Sequence, residues 1–142
     1  MARRLDDRDY RILRILRRDS RTPYTVIARE LGISEVAARK RVLRLIRDGV
    51  IRRFTIDYSA PGEFKAIILV KTLPQTRVPE VSKRLVMIDG VEAVYEVTGE
   101  YDIIVIASAR SVDEINDYVD KIRSTSGVAS TNTLIILRTW TP

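Results

Sequence analysis

The spacing of apolar residues changes near residue 59, and this change constrains the fold more than any other feature. Before it, three segments have apolar residues at helical spacing. After it, apolar runs of strand length and helical segments follow one another in the order β-α-β-β-α-β. Residues 59–62, Ser-Ala-Pro-Gly, are typical of a turn between the two regions. We therefore expect an α+β chain with a first domain over residues 1–52, a linker strand over 53–62 and a second domain over 63–142.

The first domain is expected to hold three helices. Asp6 is placed to cap the first helix, and the pair Thr22-Pro23 opens the second, which ends at Gly32. Ser34 caps the third helix, which ends at Gly49. The β-branched and aromatic residues 50–58 then predict a strand. A short helix, a glycine turn and a basic helix together indicate a helix-turn-helix.

The third helix has an apolar face and a basic face. Ala38, Val42, Leu45 and Ile46 share the apolar side and are expected to pack on the first two helices. Small side chains early in the helix permit close approach to a major groove, Lys40 can reach a base edge or a phosphate, and arginines neutralise phosphates. The candidate DNA-binding residues are Ser34, Val36, Ala37, Arg39, Lys40, Arg41, Arg44 and Arg47. Leu43 also points outward, towards either a thymine methyl or a neighbouring protein surface.

Positive charge is concentrated in the first part of the chain. Residues 1–53 hold 16 Lys and Arg against 7 Asp and Glu, whereas residues 54–142 hold 9 against 12. Such asymmetry favours a polyanionic partner, here double-stranded DNA. The alternative is a three-helix packing unit with a solvated basic surface.

The composition argues against catalysis and against metal binding. The chain has no cysteine and no histidine, which excludes disulfides and thiolate metal sites and removes the commonest general base. Glu96, Glu100 and Asp102 are close in sequence, but no nucleophile–base pair accompanies them. We expect no enzyme activity, no cofactor and no metal. No apolar run approaches the roughly 20 residues that span a bilayer, and the N-terminus lacks the apolar core of a signal peptide, so we expect a cytoplasmic protein.

The second domain is expected to have the ferredoxin-like arrangement, an antiparallel sheet with helices on one face. Its strands are apolar on both sides: Ala66, Ile68 and Val70 alternate with Ile67 and Leu69. The face without helices then needs a cover, for which a second subunit is the natural candidate. The alternative is a monomer with an exposed apolar face.

A hairpin loop and the last strand carry candidate groups for a small ligand. Gly99 lets backbone amides approach a ligand, and Asp102 could receive an ammonium group. Thr131 and Thr133 share one face of the last strand and offer hydroxyl groups. Together they could hold an amino acid, although a glycine in a hairpin and threonines in a strand are also ordinary structure.

Several motifs together resemble the leucine-responsive/asparagine-operon regulator (Lrp/AsnC) family of feast/famine regulators. They are LDDRDYRILRIL, the arginine of DSR, IARELGIS, RVLRLIRDGVI, TGEYDIIV and STNTLIIL, which cover the chain from Leu5 to about Arg138. The resemblance implies a winged helix-turn-helix joined to a ferredoxin-like sensing domain. It also implies homodimers, often octamers, with amino acids or related metabolites bound between dimers. By motif, Gly99, Tyr101 and Asp102 would form the effector loop, Thr131 and Thr133 would match polar positions of the last strand, and Arg41 would match a usual arginine.

Three residues depart from the family pattern. Pro23 stands where a serine cap is usual, and Leu43 and Ile46 stand where charged residues are usual. The leading hypothesis is a sequence-specific transcriptional regulator modulated by an amino acid or related metabolite bound at an oligomer interface. The alternative is a chromosome-architectural protein with little sequence preference.

Overall fold

The computed structural model of the chain describes residues 4–141. The chain divides into two compact units between Tyr58 and Ser59, which lies inside the predicted linker. The predicted domain limits at residues 1 and 142 fall outside the described residues. Within the described range, none of the helices combines the length and the apolar character needed to span a bilayer.

The first unit is built from three helices. They are α1 (Asp7–Arg18), α2 (Tyr24–Leu31) and α3 (Glu35–Arg47). Asp6 caps α1 as predicted: its carboxylate accepts from the backbone amide of Asp9, whose carboxylate accepts in return from the amide of Asp6. Ser34 caps α3 by accepting from the amide of Ala37. Gly32 ends α2 in the left-handed conformation, at φ 64°, and the chain then turns towards α3.

The core of this unit lies where the apolar sides of the helices meet. It contains Ile12, Ile27, Ala28, Leu31, Ala38, Val42 and Leu45, all buried. The expected packing face of α3 is confirmed at three of its four positions. The fourth, Ile46, lies at the rim and stays exposed.

The strand expected over residues 50–58 is absent. Residues 52–60 adopt neither helix nor strand, and Phe54, Ile56 and Tyr58 are exposed. The β-branched and aromatic composition favours an extended chain, but a strand also needs a neighbour to pair its backbone groups. None of the strands among residues 4–141 pairs with this segment.

The second unit has the predicted β-α-β-β-α-β order. Its elements are β1 (Phe64–Thr72), α4 (Val78–Leu85), β2 (Val91–Glu96), β3 (Ile103–Ala109), α5 (Val112–Arg123) and β4 (Val128–Ile135). The strands form one antiparallel sheet in the order β2-β3-β1-β4, which is the ferredoxin-like topology. Ser111 caps α5 by accepting from the amide of Glu114, and the Glu114 carboxylate accepts from the amide of Arg110.

The two faces of the sheet are both apolar, as the alternation predicted. Ala66, Ile68 and Val70 are fully buried together with Leu85 of α4 and Ile115 of α5. We call the opposite face the open face. It carries the residues of β1 that alternate with this buried set and the residues of the other strands that lie beside those. These are Ile67, Leu69, Tyr95, Ile104, Ile106 and Leu134. Both helices of the unit pack on the other side, so neither covers the open face.

Candidate nucleic-acid interface and ligand-binding loop

The exposed side of α3 is a mixed cationic and apolar surface. At about 100° per residue, its members lie within about 60° of Val36 around the helix axis. They are Val36, Arg39, Lys40, Leu43 and Arg47, all exposed. Among the described residues, none forms an ion pair or hydrogen bond with the side chains of Arg39 and Lys40, and Arg47 contacts only its neighbour Asp48, at 3.3 Å. We call this set the groove face.

Two of the predicted phosphate-binding arginines are instead engaged inside the unit. Arg41 donates from Nη1 to both oxygens of Asp6, at 3.0 and 2.8 Å, and to Oδ1 of Asp9, at 2.8 Å. Arg44 donates from Nη2 to both oxygens of Asp9, at 2.7 and 2.9 Å. We call these four residues the α1–α3 ion cluster. It fixes the middle of α3 to the first turn of α1.

The members of the ion cluster differ in exposure. The side chain of Asp9 is only 4% exposed, whereas that of Asp6 is 52% exposed, and the two arginine side chains lie between, at 21% and 23%. The hydrogen bond from Arg41, followed by the one from the Asp9 amide, lowers the pKa of Asp6 below its ordinary value. Asp6 therefore keeps its negative charge at neutral pH, and the two carboxylates of the cluster face two guanidinium groups.

The predicted ligand loop between β2 and β3 contains a carboxylate that is already hydrogen-bonded. Oδ2 of Asp102 accepts from the backbone amide of Thr72 at 2.8 Å and from its hydroxyl at 2.9 Å. These bonds, in that order, and then the charge of Lys71, lower the pKa of Asp102. The other oxygen, Oδ1, lies 3.7 Å from Nζ of Lys71. Asp102 thus holds the loop against the end of β1 while one of its oxygens stays accessible.

The remaining predicted ligand residues lie around the same end of the sheet but on two different faces. Thr131 pairs with the buried Val70, and Thr133 pairs with the buried Ile68. Both threonine side chains therefore point to the side of the sheet on which the helices pack. There Arg123 donates to the hydroxyl of Thr131 at 2.9 Å. Tyr101 instead lies 3.5 Å from Asn132, which points to the open face. Gly99, at φ 118°, has the backbone conformation that favours glycine.

Sequence reasoning missed the partners of these residues. Lys71, Thr72 and Asn132 were not singled out, although alternation along β1 and β4 places Lys71 and Asn132 on one face. Asp6 was interpreted only as a capping residue, and no contact between Asp9 and an arginine was predicted. Their pairing with arginines 32 to 35 positions later had no local signal.

No group of three or more His, Cys, Asp or Glu residues suited to a metal ion occurs within residues 4–141.

Two family models match the chain, one for each unit. A model for the Lrp/AsnC ligand binding domain matches residues 65–142, and a model for a winged helix-turn-helix DNA-binding domain matches residues 5–52. The boundary between the matches falls in the segment that separates the two units.

Similar proteins share nearly the whole length of the chain. An HTH-type transcriptional regulator LysM from Sulfurisphaera tokodaii is 54% identical over 136 residues, covering 96% of this chain and 97% of that protein. The structure of AsnC from E. coli superposes with a TM-score of 0.75 at 28% identity, covering 96% of this chain and 95% of that one. A feast or famine regulatory protein from M. tuberculosis, solved in complex with L-methionine, has a TM-score of 0.84 at 30% identity, with 98% and 96% coverage.

Proposed function

We infer the function of this chain from its family: it belongs to the Lrp/AsnC family of transcriptional regulators. It is a regulator with a helix-turn-helix DNA-binding unit and a ligand-binding unit. We propose that it binds discrete sites on double-stranded DNA as a homodimer or a larger assembly, up to an octamer, and that an amino acid modulates this binding. We further propose that it acts in the cytoplasm and catalyses no reaction.

The groove face of α3 is the observation that carries this proposal. It combines long cations with two apolar side chains, a mixture suited to a major groove that presents phosphates, base edges and thymine methyl groups. Lys40 and Arg39 lie at opposite edges of this face, with Arg47 between them around the helix axis, and the side chain of Lys40 is free to reach a base or a phosphate. Val36 is 63% exposed at the first turn of α3, the part of a recognition helix that contacts bases.

The other predicted DNA-binding residues support this face rather than extend it. Ser34 caps α3, and Ala37 permits close approach of the helix start to the duplex. Arg41 and Arg44 flank the groove face, but the ion cluster neutralises their charge. Their main contribution is the placement of α3.

The open face of the second unit supports homodimer formation. Apolar residues occupy its centre on all four strands, and neither helix of the second unit covers it. A two-fold dimer presents two copies of α3 to DNA. The expected sites are therefore pseudo-palindromic, with half-sites about one helical turn apart or a multiple of it.

The loop around Asp102 has the charges needed to recognise an amino acid. Oδ1 of Asp102 can accept an ammonium group, and Lys71 retains a donor for a carboxylate after contacting Glu100 and Asp102. Gly99 and Tyr101 complete the proposed effector site, with help from neighbouring copies of the chain. Thr131 and Thr133 point to the opposite face of the sheet and are not part of the proposed site. The L-methionine complex of the M. tuberculosis protein is a precedent for this ligand class. An effector shifts assembly by the difference in its affinity for two states.

Footprinting of the purified full chain on its own genomic DNA tests the proposal. Discrete protected sites, with affinity that falls steeply as salt rises, are the expected result. Uniform protection would instead indicate an architectural role and contradict the regulator. In parallel, a thermal-shift screen of the twenty amino acids identifies the effector, because a ligand selective for the native state raises its melting temperature. No shift with any of them would contradict amino-acid control.

A further inference from the structure

We propose that Asp6 acts as an internal substitute for a DNA phosphate: it neutralises the arginines beside the recognition helix α3 and thereby limits non-specific DNA binding. The inference rests on the proposed DNA-binding function. It gives a role to an acidic residue that lies outside the recognition helix.

The first step is the charge balance of the ion cluster. Its two guanidinium groups face two carboxylates, with every nitrogen–oxygen distance between 2.7 and 3.0 Å. Carboxylates and phosphates make the same kind of bond to arginine, two oxygens accepting from the guanidinium. Asp6 presents both of its oxygens to Nη1 of Arg41, and the second guanidinium nitrogen, Nη2, is not part of this contact. Arg41 is therefore already occupied by an anion before DNA arrives.

The two aspartates of the ion cluster differ in burial. Asp9 is almost completely buried and bonds to both arginines, so its loss would disturb the packing of α1 on α3. Asp6 is half exposed, and an exposed ion pair contributes little to folding stability. A water-accessible pair of this kind can exchange one anion for another. The removable charge in the cluster is accordingly that of Asp6.

Arg41 and Arg44 lie beside the groove face of α3. Around the axis of α3, Arg44 lies about 80° from Val36 and Arg41 about 140°, on one flank of the groove face. An α-helix about 10–12 Å wide fills a major groove about 12 Å wide, so its flanks face the phosphates of the groove walls. Without the charge of Asp6, that flank carries one net positive charge towards the DNA backbone. Phosphates are the same for every sequence, so the added attraction is non-specific.

The substitution Asp6→Asn tests this directly. Asparagine caps a helix about as well as aspartate does, so α1 is preserved. The matched control is Asp7→Asn, which removes an equal charge from the same helix end; Asp7 forms no ion pair with any residue in the described part of the chain. The affinity of each full-length protein for a scrambled duplex is measured between about 50 and about 200 mM salt.

We expect the slope of log affinity against log salt concentration to be steeper by about 0.9 per bound subunit for Asp6→Asn. For each bound subunit, this is an additional fall in affinity of about 3.5-fold over this salt range. Asp7→Asn should match the wild-type slope. The double variant Asp6→Asn/Arg41→Gln should lose the extra steepness, which distinguishes a released arginine from a general change of charge. Thermal melting verifies that all variants fold.

Equal slopes for Asp6→Asn and Asp7→Asn, with wild-type DNA binding intact, would overturn this inference and leave the proposed function standing. Persistence of the steeper slope in the double variant would overturn it as well. Absence of DNA binding by the wild-type protein at low salt would instead overturn the proposed function, and this inference with it.

Discussion

Gly90 provides the sharpest test of the packing in the ligand-binding unit. It lies between α4 and β2 at φ 83°, and a Cβ atom there would overlap the ring of Tyr118 on α5. Gly62 has nearly the same backbone angle, φ 78°, but a Cβ there meets nothing within 4 Å. Both alanine variants incur the left-handed strain of about 1–2 kcal/mol. Only Gly90→Ala adds the cost of overpacking, about 1–3 kcal/mol.

Urea unfolding of the full chain, followed by far-ultraviolet circular dichroism, measures both variants. We expect Gly90→Ala to lose about 1–3 kcal/mol more than Gly62→Ala. In a Tyr118→Ala background the ring is absent, so the extra cost of Gly90→Ala should disappear. Equal losses for the two glycine variants, or an extra cost that survives removal of the ring, would refute the proposed close approach of the turn to α5.

Three further predictions concern charge and assembly. Asp9→Asn should destabilise the first unit by about 2–3 kcal/mol in urea because Asp9 is buried between two arginines, whereas Asp7→Asn should cost under about 1 kcal/mol. The pKa of Asp102 is lowered in the folded state, so its ionisation should stabilise the fold fully above the unfolded pKa of about 3.9. The advantage of wild type over Asp102→Asn in an acid titration should therefore shrink as pH falls below about 4 and vanish only below the folded-state pKa. Ile106→Lys on the open face should weaken dimerisation at least about 100-fold in sedimentation experiments, about 3 kcal/mol, whereas Val112→Lys on the outside of α5 should not.

The elements of the fold were predictable because they depend on local signals. Asp6, Ser34 and Ser111 are capping residues whose partners lie three positions along the chain. The alternation in β1 likewise predicted the buried and open faces of the sheet. These signals require only the spacing of a helix or a strand, which the sequence displays directly.

The details of both candidate sites depend on contacts between distant residues, and these were not predictable. Arg41 and Arg44 flank the outward side of α3 on a helical wheel, but Asp6 and Asp9 engage both of them. Asp102 was interpreted as a free carboxylate, yet it bonds to Thr72, 30 positions earlier. Without the sheet register, nothing placed those residues together.

The segment 50–58 shows a different limit of sequence reasoning. Its composition favours an extended backbone, but pairing partners decide whether an extended chain becomes a strand. The described residues of one chain provide none. Composition could therefore predict the local backbone preference but not the hydrogen bonds.

Loss of charge from the groove face tests the central claim most directly. The measurement compares affinity for a footprinted site between Arg39→Ala/Lys40→Ala and the control Lys83→Ala/Arg110→Ala, which removes the same charge from exposed residues of the second unit. At about 1–1.5 kcal/mol for each lost charged contact, the first pair should bind at least about 30-fold more weakly, while the control should bind like the wild type. Equal affinities of both pairs for the site would contradict the assignment of α3 as the helix that enters DNA.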